Sequence, residues 1–323
     1  MSDASGPHPR PDLLGSGDNA MTYAGELTFL RRQRTRDIAG ADVVVSGVPF
    51  DAATSFRPGA RFGPQAIRAA SVQLAELTAR AWPFDLELFG ALAVADWGDC
   101  ELDFGYPQRL VPQVIAHARS LIESGARLLT FGGDHFVTYP LLVAHAERYG
   151  PLALVHFDAH VDTWDDDGER LDHGTMFLRA KEQGLIAVDR SIQIGIRSFS
   201  QRDHGFSILD APTVQRLGPA AVIETIQERV GAHPAYFTFD IDCLDPAFAP
   251  GTGTPVPGGL SSAEALAIVR GLGAIDFVGM DIVEVAPAYD SAEITALAAA
   301  TIGHDLLGLL AQRKRAQHDG RRD

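Results

Sequence analysis

The stretch LALVHFDAHVD, residues 152–162, begins as a short apolar run and ends as a cluster of acids and histidine. Comparable runs recur at 42–50 (DVVVSGVPF), 126–133 (ARLLTFGG), 191–196 (SIQIGI), 235–242 (AYFTFDID) and 277–285 (FVGMDIVEV). They are apolar on both faces instead of alternating, the pattern of strands in a parallel sheet covered on each side by helices. Helical spacing fills the gaps, at 107–125, 140–150 and 261–273, the last opening with an N-cap signal at Ser261 or Ser262. A parallel pair needs a crossover, so the alternation predicts a three-layer α/β/α architecture with a doubly wound, mostly parallel central sheet. No repeat and no Pro/Gly/Ser linker divides the chain. We expect one domain at 25–315, a flexible polar tail at 1–24 and a charged end at 316–323.

The 323 residues carry a net charge of -15. That balance argues against a nucleic-acid groove or an anionic membrane surface, which require clustered Lys and Arg, and favours cationic ligands. Cys100 and Cys243 are far apart and lack metal-binding spacing, so both read as reduced, buried thiols. The first twenty residues lack the basic and apolar regions of a signal peptide. No segment reaches the run of about 18 apolar residues expected of a membrane span, and the expectation is a soluble, cytoplasmic protein.

Ligands of open α/β sheets lie beyond the carboxyl ends of the strands. Those ends carry Gly132, Gly133, Asp134 and His135; then Asp158, His160 and Asp162; then Asp240 and Asp242. In an extended segment, residues i and i+2 point the same way, so Asp158 with His160 and Asp240 with Asp242 would form pincers. Four carboxylates gathered there repel: two unit charges about 4 Å apart cost roughly 4 kcal/mol at an effective dielectric near 20. Two divalent cations would neutralise them, and mixed imidazole and carboxylate ligands suit manganese better than calcium or a soft metal, with zinc and iron as alternatives. A metal pair lowers the pKa of a shared water, which is a hydrolase design.

A lone strand-end Asp or His more often serves a turn; six in register do not. His117, His145, His204, His233 and His304 have no motif around them and read as surface or packing residues. Asp165, Asp166 and Asp167 lack calcium-loop spacing and read as a solvated loop. Arg57, Arg61 and Arg68 read as structural ion-pair residues. Gly132 and Gly133 form no phosphate fingerprint and suit a tight strand exit.

GGDH (132–135), DAHVD (158–162) and FDIDCLDPAFAPGTGTPVPGGL (239–260) together resemble the three metal-binding signatures of the ureohydrolases, the arginase and agmatinase family. The resemblance extends through SFRPGARFGPQAIR (55–68), DHGTMFLRA (172–180) and GMDIVEVAPAYDSAEITALAAAT (279–301), most of the chain after residue 40. It implies an arginase-like fold and two Mn²⁺ per subunit, one held by His135, Asp158, Asp162 and Asp240, the other by Asp158, His160, Asp240 and Asp242. It further implies that Glu284 pairs with a guanidinium group, that His173 shuttles protons, and that Asp162 relays a proton to the leaving amine after a metal-bridging hydroxide attacks the guanidino carbon. A homo-trimer or homo-hexamer is implied as well.

Arginine-cleaving relatives carry Asn two residues after the last Asp of the DAHxD motif, where it helps hold the substrate carboxylate; here that position is Trp164. The loss favours a substrate without an α-carboxylate, since a buried charge left unpaired is costly. Agmatine fits, with guanidinobutyrate as the alternative and residues 164–170 (WDDDGER) as a candidate for the substrate's far end. A two-metal phosphoesterase would want basic residues beside the metals, and none accompanies these motifs. An inactive binding protein would not need the whole set of ligands together with His173 and Glu284.

Overall fold

The computed structural model describes residue 13 and residues 21–76, 81–165, 167, 170–200 and 202–319. Eight strands form one parallel sheet: β1 (Val43–Val48), β2 (Val94–Asp99), β3 (Arg127–Gly132), β4 (Ala153–Phe157), β5 (Ile192–Ile196), β6 (Ser207–Asp210), β7 (Ala235–Asp240) and β8 (Phe277–Val283). Their order is β2-β1-β3-β8-β7-β4-β5-β6. The six runs anticipated above are its interior strands, β1, β3, β4, β5, β7 and β8. The sequence reading passed over β2 and β6, and these are the two edges. An edge strand is covered on fewer sides, so β2 keeps Trp97 and Asp99, and β6 all four residues, outside the fully buried class. The continuous apolar signal fails there for that reason.

Side chains alternate between two apolar layers. Val43, Val45, Leu129, Phe131, Val155, Phe157, Phe237 and Phe239 face one core, closed by helices α1 (Gly63–Ala75), α6 (Ala211–Val230), α7 (Ser262–Arg270) and α8 (Ile294–Asp319). Val44, Leu128, Leu154 and Tyr236 face the other, closed by α3 (Pro107–Ile122), α4 (Thr138–Tyr149) and α5 (Met176–Glu182). A short helix, α2 (Leu88–Ala91), precedes β2 and contributes Leu88 and Phe89 to the first core. Ser261 caps α7 in a capping box with Glu264. Helix α8 is long and apolar enough to cross a bilayer, yet 78% of that window is buried inside the protein, the position of a core helix. Of the expected tail, Leu13 is buried against Ala93 and Ala95, while Met21 and Ala24 accept hydrogen bonds from Arg31 Nη2; residues 1–12, 14–20 and 320–323 lie outside the described set.

The chain leaves β3 and enters β4 three positions away, and β7 and β8 later fill the interval. The carboxyl ends of β3, β8, β7 and β4 therefore meet side by side where the winding reverses, the crevice in which ligands of such sheets lie. The β3 exit is stitched by backbone bonds: Gly133 N donates to Val48 O at 2.9 Å, Asp134 N to Phe50 O at 2.7 Å and Glu284 N to Gly133 O at 2.8 Å. A Cβ at Gly133 would run into the Phe50 main chain. Gly133→Ala should therefore destabilise the protein by about 3 kcal/mol or more, read as a lowered Tm; an unchanged Tm would mean the Phe50 loop yields freely.

Candidate metal centre

Each strand exit turns its side chains inward by a local hydrogen bond. After β3, Asp134 caps the turn His135–Val137, accepting from Phe136 N, and also accepts from Ala53 N at 2.8 Å; His135 is thereby fully buried. After β4, Asp158 Oδ1 accepts from His160 N at 2.6 Å, and Asp162 follows with φ 50°. At the end of β7, Asp240 Oδ1 accepts from Asp242 N at 2.8 Å inside the turn Ile241–Cys243. The pincers expected from extended spacing thus arise differently, because β4 stops at Phe157 and β7 at Asp240. Carboxylate-to-backbone turns bring the paired residues round. Asp242 Oδ1 also accepts from Ala159 N at 3.0 Å, tying the β4 and β7 exits together.

All six expected ligands converge. His135 Nδ1 lies 2.9 Å from Asp158 Oδ2, 3.0 Å from Asp162 Oδ2 and 3.4 Å from Asp240 Oδ2. His160 Nδ1 lies 3.1 Å from Asp242 Oδ2 and 3.3 Å from Asp158 Oδ1. Asp158 belongs to both groups. Sequence reasoning missed His156, whose Nε2 sits 2.7 Å from Asp158 Oδ2; it points to the face beneath the strand end and carries no motif of its own.

Glu284 leaves β8 with φ 64°, a left-handed conformation that a long side chain adopts only under constraint. Its Oε1 accepts from His135 N and from His173 Nδ1, each at 2.8 Å, while Oε2 is buried without a hydrogen-bond partner and faces Gly253. His173 Nε2 faces Ser55 Oγ at 2.8 Å and Ser55 N at 3.2 Å. The expected acceptor, proton shuttle and metal ligands are thus contiguous. Trp164 borders them, its ring 6.2 Å from that of His160 and packed over Gly174.

Residues set aside earlier stay apart from this cluster. His145 is buried against Leu141 O, His117 meets Ser46, His233 meets Pro151 O, and His304 meets Asp305. His204 lines a surface pocket beside Trp164 and Asp165. Arg61 pairs with Asp51, and Arg68 with Asp96 and Asp99. Arg57 departs from the ion-pair expectation and lies over the rings of Phe56 and Tyr289. Cys100 and Cys243 are free and buried. Asp166, Gly168 and Glu169 lie outside the described residues.

Residues 41–308 match the model of the arginase family. The chain belongs to that family. An agmatinase of Chromobacterium violaceum is 58% identical over 307 residues, covering 94% of each chain. The crystal structure of a hypothetical agmatinase from Burkholderia thailandensis superposes with TM-score 0.92 at 58% identity, covering 95% of this chain and 97% of that one. Proclavaminate amidino hydrolase from Streptomyces clavuligerus gives 0.86 at 40%, covering 91% and 100%.

In this arginase-family chain the donor set fits divalent cations. His135 Nδ1 and Asp162 Oδ2 are buried and face each other at 3.0 Å without the alignment of a hydrogen bond, an arrangement in which a cation could take both lone pairs. Protonation shows the same tension. Burial, and then the Asp158 charge, push Asp162 up to about 7. Burial with Asp242 and Asp158 holds Asp240 well above the usual carboxylate range. Burial alone would lower His160, but Asp242 and Asp158 override it and carry the ring up to about 12; neighbouring carboxylates raise His135 likewise. Protons here neutralise what divalent cations would neutralise. Both imidazoles must lose a proton to bind metal, so Mn²⁺ affinity should rise with pH and binding should release protons. Calorimetry in buffers of different ionisation enthalpy checks this; buffer-independent heats would contradict the ligand set.

Proposed function

We propose that this chain is an agmatinase, hydrolysing agmatine to putrescine and urea with two manganese ions. The observation that carries the reading is the buried convergence of His135, Asp158, His160, Asp162, Asp240 and Asp242 beside an unpartnered Glu284 oxygen. Hydrolase chemistry of the amidino type is common to the relatives, and several at more than 50% identity bear the name agmatinase.

Two Mn²⁺ ions, held by His135, Asp158, Asp162 and Asp240 and by Asp158, His160, Asp240 and Asp242, would supply Lewis acidity and lower the pKa of a shared water. Glu284 Oε2 is the acceptor left for the guanidinium, since Oε1 already receives two donors; a charge-assisted bond there orients the substrate carbon. Asp162 carries a proton to the leaving amine.

His173 serves proton exchange with solvent. Burial opposes its charge, but Glu284, Asp162 and Asp134 raise the ring to about 9. The Ser55 amide aimed at Nε2 requires a lone pair there, which favours the neutral form protonated on Nδ1. Divalent cations beside Asp162 would offset part of the charge that raises the ring and leave it poised to cycle.

Trp164 stands where arginine-cleaving relatives hold the substrate carboxylate, which favours a tail without one. A guanidino acid is the second reading, because the pocket beside Trp164 carries Arg202 as well as Asp165. Phosphoester hydrolysis draws no support from the motifs, since no Lys or Arg stands within 132–135, 158–162 or 239–242. We further propose a single catalytic domain at 25–315 in a cytoplasmic homo-trimer or homo-hexamer serving polyamine biosynthesis.

Urea release by manganese-loaded enzyme, measured side by side on agmatine, arginine, guanidinobutyrate and guanidinopropionate, should favour agmatine. Preference for arginine would overturn the Trp164 argument, and preference for guanidinobutyrate would favour the second reading. Asp242→Ala should cut turnover at least about hundredfold; wild-type urea release would contradict the metal assignment.

A further inference from the structure

Two residues before Asp158 and Asp240, the sheet carries a row of polar side chains. Ser46 of β1 is paired in register with Thr130 of β3, Thr130 with Asp281 of β8, Asp281 with Thr238 of β7, Thr238 with His156 of β4, and His156 with Gln193 of β5. Six adjacent strands thus place a polar residue at one level, and every one of these side chains is at most 1% exposed. The middle of a parallel sheet is ordinarily apolar, and a buried polar group left unpaired is costly. Packing does not account for the row.

Four members bond toward the centre in two arms, while Ser46 bonds outward to Gly98 O and His117 and Thr130 Oγ1 is buried without a hydrogen-bond partner. In the first, Gln193 Nε2 donates to Val161 O at 2.7 Å, which fixes that atom as the amide nitrogen. The same nitrogen lies 3.1 Å from His156 Nδ1, so Nδ1 accepts, the ring proton resides on Nε2, and Nε2 donates to Asp158 Oδ2 at 2.7 Å. In the second, His135 turns Nδ1 to the carboxylates and Nε2 to Thr238 Oγ1 at 2.8 Å. Thr238 is the register neighbour of Asp281, whose Oδ2 accepts from Thr138 Oγ1 at 2.9 Å and Tyr236 OH at 2.8 Å and whose buried Oδ1, without another partner, is the acceptor left to the Thr238 hydroxyl.

We propose that this buried row positions the metal ligands, Asp281 acting through Thr238 on His135 and Gln193 acting through His156 on Asp158. The inference rests on the reading of the cluster as a metal centre. Asp281 keeps the His135 proton on Nε2 and so keeps the Nδ1 lone pair directed at the metal. Gln193 keeps His156 in the tautomer that donates to Asp158, which fixes the rotation of the one carboxylate common to both groups. Hydrogen bonds of this kind orient ligands and raise their basicity, and their loss weakens metal binding by about 10- to 100-fold.

Thr238→Val keeps the shape and removes the hydroxyl, Thr238→Ser keeps the hydroxyl, and Gln193→Leu cuts the other arm. Mn²⁺ binding by equilibrium dialysis with metal analysis, and the Tm of the metal-free proteins, give two independent readouts. The expected result is an affinity loss of about 10- to 100-fold for T238V and for Q193L, with T238S binding as the wild type does. Wild-type affinity in T238V and Q193L, even with a lowered Tm, would reduce the row to a structural role and overturn the proposal. Should T238V not fold, Q193L carries the test alone. A wild-type protein that binds no Mn²⁺ would instead remove the metal centre itself, a failure distinct from that of the row.

Discussion

Mutual repulsion of buried carboxylates is the constraint on which the rest of this molecule depends. Asp158, Asp162, Asp240 and Asp242 are each no more than 3% exposed, and each pair at contact distance costs several kcal/mol in an environment of low dielectric. No isolated loop could hold them together. Two neighbouring strand exits, those of β4 and β7, do so because the sheet behind them is an apolar slab, filled on one side by Phe131, Phe157, Phe237 and Phe239 and on the other by Leu128, Leu154 and Tyr236. The sheet supplies rigidity, and the exits supply direction.

Direction comes from small devices. Asp134, Asp158 and Asp240 each accept a backbone N–H two residues ahead, so the acids shape the turns in which they sit. Asp162 and Glu284 hold left-handed backbone, and both fall at the centre. Such conformations persist only where surroundings over-determine them, and here the surroundings are identifiable. Asp162 O accepts from Phe177 N at the start of α5, and Glu284 N donates to Gly133 O. Gly133, which has no room for a side chain against the Phe50 main chain, supplies the carbonyl that holds Glu284 N.

The interior strands and the identity of the candidate ligands were legible because both are local properties. A continuous apolar run ending in DAHVD or FDID carries its own period and its own chemistry. The edge strands β2 and β6 were not, since partial exposure breaks that run. Nor were the turns that orient the ligands, because extended spacing and an Asp-centred turn read alike in sequence. Arg57 departed from expectation for a different reason, the proximity of Phe56 and Tyr289, and Tyr289 stands far along the chain. The row from Ser46 to Gln193 was wholly hidden: each member is one polar residue in an apolar strand, and only register across six strands makes it a row.

That row bears on why the centre occupies this end of the sheet. A histidine can present either nitrogen, and a carboxylate can rotate, so ligand identity alone leaves several geometries open. Hydrogen bonds from below remove those freedoms without occupying the crevice where substrate must enter. The open side is left to Glu284, His173 and Trp164, the residues that the proposed function turns toward the substrate. Specificity and metal retention are thereby assigned to opposite sides of the same carboxylates, so that residues facing the crevice can differ among relatives while the layer beneath still holds the ligands in place.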